Sequence, residues 1–301
     1  MRILVEGGHL ARGEIATLCA ANALPCAQIL ILACDHKNST LKLHNAKVLD
    51  ANLQNYYQKF EELVSQEFDL VIPCTMRGLI LANNSFPQTS VIAEPSLRHL
   101  SDFNKLSLNE KYLANMRSSN LLISNWSDAD GAVILAKPIA GHSSVGHIRV
   151  TSNEIFLELQ EREEFIFEKV FGDYCPQFSV SIYDGISRST MCIERVKQLD
   201  GHTVAARRVA DERVLNFCDQ LAKTVPVSKV VNIQFALTET GCKVYDINPR
   251  FGFSELYRTC FGKNFLSEIL GFPQTPLVTN DFLSEYDAWS ILRSSAIQRN
   301  K

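Results

Sequence analysis

The chain has 301 residues, of which 46% are hydrophobic and 21% are charged, an ordinary globular composition that is long enough for one large or two smaller domains. The formal net charge of -3 gives no basic excess of the kind that proteins use to bind nucleic acid or an anionic membrane surface. No apolar run approaches the roughly 18 residues that a membrane span needs.

The N-terminus and the cysteines predict a cytoplasmic protein. Residues 1–8, MRILVEGG, enter an apolar run at once and lack the charged region, long apolar stretch and cleavage site of a signal peptide. The nine cysteines are scattered and odd in number, and no CxxC pattern occurs. We therefore expect reduced, mostly buried thiols, no zinc site, and neither a nucleic-acid nor a membrane partner.

The first hundred residues alternate apolar strand-like runs with helical stretches. Helices are predicted at 14–22, 55–66 and 78–83. Strands are predicted at 3–6, 28–33, 69–73 and 90–93. Apolar strands separated by helices are typical of a small parallel α/β sheet.

From about residue 100 the pattern changes. A helix is predicted over 100–116, with Ser107 and Glu110 at capping-box spacing, and another over 211–224. The strand-like segments are 131–138, 147–150, 165–170, 178–183, 189–195, 230–237 and 242–247. This half is predicted to be a mostly antiparallel α+β domain, with the boundary near residues 94–101.

The segment GGHLARG, residues 7–13, follows the first strand. Its spacing does not match the dinucleotide fingerprint GxGxxG, and Asp35 is only loosely placed as the acidic residue that would bind a ribose. Two interpretations stay open. The glycines either serve a strand-to-helix turn, or they open a helix N-terminus that holds a substrate carboxylate or another anion.

A second glycine-containing segment, GHSSVG at residues 141–146, follows a strand that ends near Lys137. Small residues let backbone N–H groups approach an anion closely, so this loop can close over a phosphate chain with the Lys137 ammonium beside it. The segment lacks the GK[ST] ending of a Walker A loop. The alternative is a plain hairpin loop with an exposed lysine.

The segments 230–237 and 242–248 flank the turn TETG. A two-residue loop would pair Gln234 with Tyr245 and turn Asp246 to the other face of the strand. A three-residue loop ending in a left-handed glycine pairs Gln234 with Asp246 instead, and a site at this hairpin needs that register.

In that register, alternation along the strand adds Asn248 to the face of Asp246 and Gln234. One carboxylate and two carboxamides are oxygen donors of the kind that Mg²⁺ prefers. Arg250, just beyond the strand, is placed to neutralise a phosphoryl group. A polar strand end that faces solvent is the alternative.

Together these segments resemble the ATP-grasp superfamily, and most closely its carbamoyl-phosphate-synthase-like branch. The resemblance runs through nearly the whole chain in order: FDLVIP resembles a strand of the domain that precedes the ATP-grasp fold, and FEKVFGDYCPQFSVSIYDG resembles the hinge over the adenine. VVNIQFAL and VYDINPRFG resemble the magnesium-binding hairpin. This last match is the most specific, because both strands and the turn occur at plausible spacing.

The resemblance implies a fold in two parts. Residues 1–97 would form a small Rossmann-like domain, an α/β unit with a parallel sheet that lies on the substrate side. Residues 98–301 would form an ATP-grasp fold of two α+β subdomains, with a hinge near 168–172.

The resemblance also implies a nucleotide site in the second part. The lysines and the glycine loop would contact the phosphates of ATP, the hinge residues would line the adenine pocket, and a glutamine would stand where the family usually holds the ribose with a glutamate. The implied ATP-binding residues are Lys105, Lys137, Gly141, His142, Ser143, Ser144, Gly146, Glu168, Val170 and Gln177.

The implied metal ligands are Gln234, Asp246 and Asn248, for two Mg²⁺ ions or for Mn²⁺ in their place. Arg250, Asn248 and Lys137 form the implied catalytic set, with Arg250 at the phosphoryl group in transfer or at the acyl-phosphate. Asp246 stands where a glutamate is commoner and is one methylene shorter, so it would hold the metal closer to the strand or through a water molecule.

Other charged residues are weaker candidates. Arg195, Arg207 and Arg208 include candidates for binding a substrate carboxylate or a phosphate, although solvated arginines are commoner. Glu255 and Arg258 follow the Asn-Pro-Arg motif in a region that often contributes to the acceptor-substrate pocket of the family.

The resemblance predicts an ATP-dependent carboxylate–amine ligase that phosphorylates an amino acid or small acid and lets an amine attack the acyl-phosphate, releasing ADP and phosphate. Its expected partners are these small-molecule substrates, and a homodimer is one expected form because dimers are common in the superfamily. The alternatives are a carbamoyl-phosphate-type phosphotransferase acting on bicarbonate or carbamate, a non-catalytic ATP sensor, and a nicotinamide-dependent oxidoreductase.

Overall fold

The computed structural model describes residues 1–34, 43–52, 54–113, 116, 122–129, 131–139, 146–170, 175–185, 188–199 and 201–299. Its helices are α1 (Ala11–Ala23), α2 (Tyr56–Glu62), α3 (Met76–Ser85), α4 (Lys105–Leu113), α5 (Asn153–Glu161), α6 (Glu212–Thr224), α7 (Glu255–Cys260), α8 (Phe265–Leu270) and α9 (Glu285–Arg299). Among the helices of these residues, none combines the length and hydrophobicity that a membrane crossing requires.

The strands form three sheets. The strands are β1 (Arg2–Glu6), β2 (Gln28–Cys34), β3 (Ala46–Ala51), β4 (Leu70–Ile72), β5 (Leu122–Ile123), β6 (Ile134–Pro138), β7 (Ile148–Val150), β8 (Phe165–Lys169), β9 (Gln177–Asp184), β10 (Arg188–Leu199), β11 (His202–Arg208), β12 (Val230–Thr238), β13 (Gly241–Asn248) and β14 (Phe282–Ser284).

The first sheet is parallel, in the order β3-β2-β1-β4, as the alternation of strands and helices predicts. Leu4 packs with residues of α2 and α3, whereas Ile3 and Val5 pack with α1, so β1 is buried on both faces. The strand β3 was not predicted, because its sequence AKVLDA has charged residues at two of its six positions and only its last residue, Ala51, is buried. The predicted strand at 90–93 is reduced to a single bridge between Val71 and Val91.

The second sheet is antiparallel, in the order β13-β12-β9-β10-β11-β14, and it shares both of its hydrophobic cores with the parallel sheet. The third sheet, β5-β8-β6-β7, is also antiparallel. It has a separate core that includes Ile134, Phe156 and Phe167, with α5 packed on it. Several of the site residues predicted from the sequence, Lys137, Glu168 and Asp246 among them, lie where this small sheet meets the large one.

The helix predicted over 100–116 is interrupted at Asn104. Residues 100–103 form a single 3-10 turn, and the Asn104 carboxamide oxygen then accepts hydrogen bonds from the backbone N–H groups of Leu106 and Ser107, at 2.8 and 3.3 Å. This side-chain cap starts α4 at Lys105. The lysine therefore lies in the first turn of a helix, where its side chain can reach the neighbouring strand β6.

Candidate active site

The hairpin of β12 and β13 has the register that the site requires. Gln234 pairs with Asp246, as predicted. The predicted three-residue loop is wrong, however: Thr238 pairs with Gly241, which leaves only two residues in the loop. The register is shifted instead by a β-bulge, because Tyr245 is an extra residue that has no partner on β12.

The bulge connects the large sheet to the small one. The Lys137 ammonium on β6 donates a hydrogen bond to the backbone carbonyl of Tyr245 at 3.0 Å. It also forms a buried ion pair with Glu168 on the adjacent strand β8. Burial raises the pKa of Glu168, and the ammonium of Lys137 opposes that shift. The carboxylate predicted to line the adenine pocket is therefore engaged by Lys137.

Lys105 and Asp246 complete this cluster. The Lys105 ammonium donates to the backbone carbonyl of Pro138 at 2.8 Å, at the end of β6. Burial lowers the pKa of Lys105, the nearby Lys137 ammonium lowers it further, and the carboxylate of Asp246 opposes the shift. The structure thus brings together the two predicted phosphate-binding lysines and the predicted acidic metal ligand.

Asn248 lies between Asp246 and Arg250. Its amide nitrogen contacts the Asp246 carboxylate, and its amide oxygen accepts a hydrogen bond from Arg250 at 3.3 Å. Burial lowers the pKa of Arg250 to about 9, the neighbouring Arg12 guanidinium lowers it too, and Asp246 opposes both effects. The candidate metal ligands Asp246 and Asn248 therefore lie at the end of β13, and the buried Arg250 guanidinium follows them.

Sequence reasoning missed Arg12 and His147. Arg12 lies in the first turn of α1, within the GGHLARG segment, and burial lowers its pKa. His147 follows the GHSSVG loop. Burial, together with the ammonium groups of Lys137 and Lys105, lowers the pKa of His147 to about 4, so its imidazole is neutral at neutral pH. Arg12 lies within one glycine-containing segment and His147 directly follows the other, but only the folded structure shows which charged groups are near them.

A hydrogen-bonded network covers the sheet beside the bulge. Arg195 donates to the Gln234 amide oxygen at 2.8 Å and to the Tyr245 hydroxyl at 2.6 Å. The Tyr245 hydroxyl donates to the Gln177 amide oxygen at 2.9 Å, and Gln198 donates to the same oxygen at 2.8 Å. Both hydrogen bonds use the oxygen of Gln177, so its amide nitrogen would make the ribose contact that the resemblance implies.

The other predicted nucleotide residues are placed only in part. Gly141, His142, Ser143 and Ser144 lie outside the described residues. Gly146 is exposed and has φ +76°, a conformation that favours glycine. Val170 is also exposed, and its backbone N–H donates to the carbonyl of Val133 at 2.7 Å.

The remaining charged candidates separate by burial. Arg258 and Glu255 are fully buried and form an ion pair with each other at 2.8 Å, beneath the large sheet. They therefore support the fold and do not face an acceptor pocket. Arg207 pairs with Glu194 and Arg208 with Asp281, in ion pairs that are partly or largely exposed to solvent. Of the three candidate arginines, only Arg195 reaches the hairpin site.

The Asp246 carboxylate is the anionic oxygen donor of the hairpin and is a ligand that Mg²⁺ accepts. The Asn248 amide turns its nitrogen to Asp246 and its oxygen to Arg250, and the Gln234 oxygen is held by Arg195. A cation that used either amide oxygen would have to displace a hydrogen bond from a guanidinium group. Among the described residues, no group of three or more His, Cys, Asp or Glu side chains could hold a metal by itself. Any ion here would therefore depend on carboxamide oxygens and on its ligand's own phosphates.

The charges around the hairpin favour an anionic ligand. Among the described residues there, the cationic side chains of Lys105, Lys137, Arg195 and Arg250 outnumber the carboxylates of Glu168 and Asp246. An excess of partly buried positive charge is costly unless an anion offsets it. A polyphosphate bound with a divalent cation would do so.

Comparisons with known proteins give a likeness of structure. A search of protein-family models and a search of curated proteins each gave no match. N5-carboxyaminoimidazole synthetase from Staphylococcus aureus matches with a TM-score of 0.65 at 14% identity, over 91% of this chain and 78% of that one. N5-carboxyaminoimidazole ribonucleotide synthetase from Thermotoga maritima matches with a TM-score of 0.61 at 16% identity, over 91% and 77% of the two chains.

A third match is the biotin carboxylase domain of the Hydrogenobacter thermophilus 2-oxoglutarate carboxylase, solved as a dimer with MgADP, ADP and bicarbonate. Its TM-score is 0.61 at 11% identity, over 83% of this chain and 64% of that one. These proteins are ATP-grasp carboxylate–amine ligases. The chain therefore shares their mixed α/β fold, with a four-stranded parallel sheet and antiparallel sheets.

Proposed function

We propose that this chain is an ATP- and Mg²⁺-dependent ligase that activates a carboxylate as an acyl-phosphate for attack by an amine, releasing ADP and phosphate. One observation carries the proposal. Lys105 and Lys137 converge with Asp246 at the junction of the small sheet and the hairpin, in surroundings with an excess of positive charge. The matched structures support it, because several of them were solved with ADP, ATP or MgADP.

The first step would transfer the γ-phosphoryl group of ATP to the acid. A carboxylate oxygen of the acid attacks the γ-phosphorus, the bond to the bridging oxygen breaks, and ADP leaves. Lys105 and Lys137 would neutralise the charge on the phosphoryl oxygens, which is most of what a protein contributes to such a transfer. Asp246 and Asn248 would hold Mg²⁺, which supplies further charge neutralisation at the phosphates when bound.

The second step would form the C–N bond. The amine attacks the carbonyl carbon of the acyl-phosphate, the C–O bond to phosphate breaks, and the proton lost from the amine is taken up as phosphate leaves. Arg250 would bind the acid and then the acyl-phosphate, because guanidinium groups bind such oxygens in pairs. Arg12 approaches Arg250 from α1 and would help to orient the acid.

Two kinds of substrate fit this class of reaction. An amino acid or small acid is our first expectation, and a phosphotransferase acting on bicarbonate or carbamate is the alternative that the bicarbonate-bound biotin carboxylase domain favours. That domain was solved as a dimer, and we keep a homodimer as our expectation for this chain. A panel of acids and amines that includes bicarbonate separates the two activities by product.

The test is acid-dependent release of ADP. We expect ATP turnover with the correct acid and amine, and we expect Asp246→Asn to lower kcat/KM by about 10²–10³-fold, the usual effect of removing one electrostatic contact to a transition state. Asp219→Asn is the matched control, since Asp219 is exposed on α6. Tight binding of MgATP with no turnover on any acid would indicate a nucleotide-sensing module instead.

A further inference from the structure

Glu94 is a buried carboxylate in the segment that connects the parallel sheet to α4. The residue is 4% exposed, and one of its oxygens accepts hydrogen bonds from the Lys111 ammonium at 3.2 Å and from the Ser96 hydroxyl at 3.0 Å. The other oxygen has no hydrogen-bond partner among the described residues. Burying a carboxylate is costly unless an opposite charge compensates it, so the ion pair with Lys111 offsets much of this cost.

The ion pair holds the C-terminal end of α4. Lys111 lies in the last turn of this helix, and its ammonium also donates to the Ser96 hydroxyl at 2.6 Å. The next residue, Tyr112, is buried. Burial, and then the nearby Glu94 carboxylate, raise the pKa of Tyr112. Two consecutive side chains of α4 therefore lie close to the same carboxylate.

The segment that carries Glu94 is fixed on its other side by α3. The Asn83 amide donates to the backbone carbonyls of Glu94 and Leu97, at 2.8 and 2.9 Å. The Asn84 amide donates to the carbonyl of Arg98 at 3.0 Å. Because three carbonyls of this segment are held by one helix of the parallel-sheet layer, Glu94 is a fixed point against which α4 is oriented.

The N-terminal end of α4 contacts the small sheet. The backbone N–H of Lys105 donates to the Ile139 carbonyl at 3.1 Å, and its ammonium donates to the Pro138 carbonyl at 2.8 Å, at the end of β6. Lys105 and Tyr112 are about two helical turns apart and so lie on the same side of α4. The helix therefore connects the Glu94 carboxylate to the ammonium of Lys105.

We propose that Glu94 is a positioning residue for nucleotide binding: through Lys111 and Tyr112 it fixes α4, and the helix in turn holds the Lys105 ammonium at the junction of the small sheet and the hairpin. This inference rests on the proposed function, in which Lys105 contacts the phosphates of ATP. Glu94 would act without touching the nucleotide. Its effect would be large enough to measure, because misplacing a contact by about 1 Å can weaken its contribution severely.

A double-mutant cycle tests the proposal, with equilibrium binding of a non-hydrolysable ATP analogue and Mg²⁺ as the measurement. Glu94→Gln keeps the size of the side chain and removes the charge that pairs with Lys111. We expect it to weaken binding about five- to tenfold in the wild-type background and to have no further effect in a Lys105→Met background, because residues that act through one another are not additive. If Glu94 only stabilised the fold, any weakening would persist without Lys105.

A second variant guards against misfolding. Replacing both partners of a buried ion pair by uncharged side chains is often close to neutral for stability, so Glu94→Gln/Lys111→Met should fold. It should weaken binding at least as much as Glu94→Gln, and again only where Lys105 is present. Glu62→Gln is the matched control, because it removes a glutamate from an exposed ion pair with Lys59 and should leave the affinity unchanged.

Unchanged nucleotide affinity in Glu94→Gln and in Glu94→Gln/Lys111→Met, or a weakening that persists in the Lys105→Met background, would overturn the inference and leave the ligase proposal intact. Failure of the wild-type protein to bind the nucleotide at all would overturn both.

Discussion

We expect Lys137 to have a structural and a functional role at once, because its ammonium forms an ion pair with the buried Glu168 carboxylate and also donates a hydrogen bond to the hairpin. A single substitution confuses the two roles. Removing one partner of a buried ion pair leaves an uncompensated charge, whereas removing both with apolar side chains is often close to neutral for stability. The pair therefore offers a way to separate folding from binding.

We predict that Lys137→Met lowers the free energy of unfolding by about 3–5 kcal/mol and that Lys137→Met/Glu168→Leu recovers most of this loss. Nucleotide affinity should stay low in both variants, because the ammonium is missing from each. Denaturant unfolding and equilibrium binding of MgATP measure the two effects separately. If the double variant bound the nucleotide as tightly as the wild-type protein, Lys137 would have only a structural role.

Single residues were predicted best where a motif carries them. Asp246, Asn248, Arg250 and Lys137 could be named from the strand and loop patterns, whereas Lys105 came from the resemblance. Arg195 was named only as one of three candidates for binding a carboxylate or a phosphate, and Arg12 and His147 were not singled out. Their surroundings come from other elements of the fold, so no local pattern shows which charges face them.

At the scale of elements, the hairpin pairs Gln234 with Asp246 as predicted, but a β-bulge and not the turn produces this register. Local sequence suggests that the turn sets the pairing, but the turn is short and Tyr245 supplies the shift. A bulge leaves backbone groups of the extra residue unpaired in the ladder, and here the Tyr245 carbonyl accepts a hydrogen bond from Lys137 on another sheet. Because this contact is non-local, the turn sequence could not predict it.

We predict that inserting one glycine between Glu239 and Thr240 leaves nucleotide-dependent Mn²⁺ binding within about threefold of wild type, because loop length changes at exposed turns cost little. Deleting Tyr245 should keep Asp246 opposite Gln234 but weaken the binding, because the deletion removes the backbone carbonyl that accepts a hydrogen bond from Lys137. Electron paramagnetic resonance reports both. Loss of binding after the insertion would show that the loop, and not the bulge, sets the register.

At the scale of the molecule, open α/β sheets bind ligands at the carboxyl ends of their strands. In the parallel sheet of this chain, the carboxylate of Glu6 occupies that position. Glu6, at the end of β1, is fully buried and accepts hydrogen bonds from the backbone N–H groups of Cys74 and Thr75, at 3.0 and 2.9 Å, and from the Tyr56 hydroxyl at 3.0 Å. Gly78 at the start of α3 permits this, since a Cβ there would lie 2.1 Å from the carboxylate. The arrangement disfavours a nicotinamide cofactor at this sheet.

The arrangement of the hydrophobic cores is consistent with a nucleotide between the small sheet and the large sheet. The large sheet is joined to the parallel sheet by shared cores, whereas the small sheet has its own. The cationic residues gather at the junction of the small and large sheets. The alternation of strands and helices was enough to predict the parallel sheet. The packing of the three sheets depends on long-range contacts, so only the resemblance to a known family could suggest the division of the chain into two parts.

Hydrogen exchange tests the central claim, that MgATP binds at this junction, most directly. With Mg²⁺ and a non-hydrolysable ATP analogue, we predict slowed exchange of backbone amides in residues 134–138, 165–169 and 241–248, and no protection by NADH. Protection confined to residues 2–23 at the N-terminal glycine turn, or protection by NADH in place of the ATP analogue, would contradict the account.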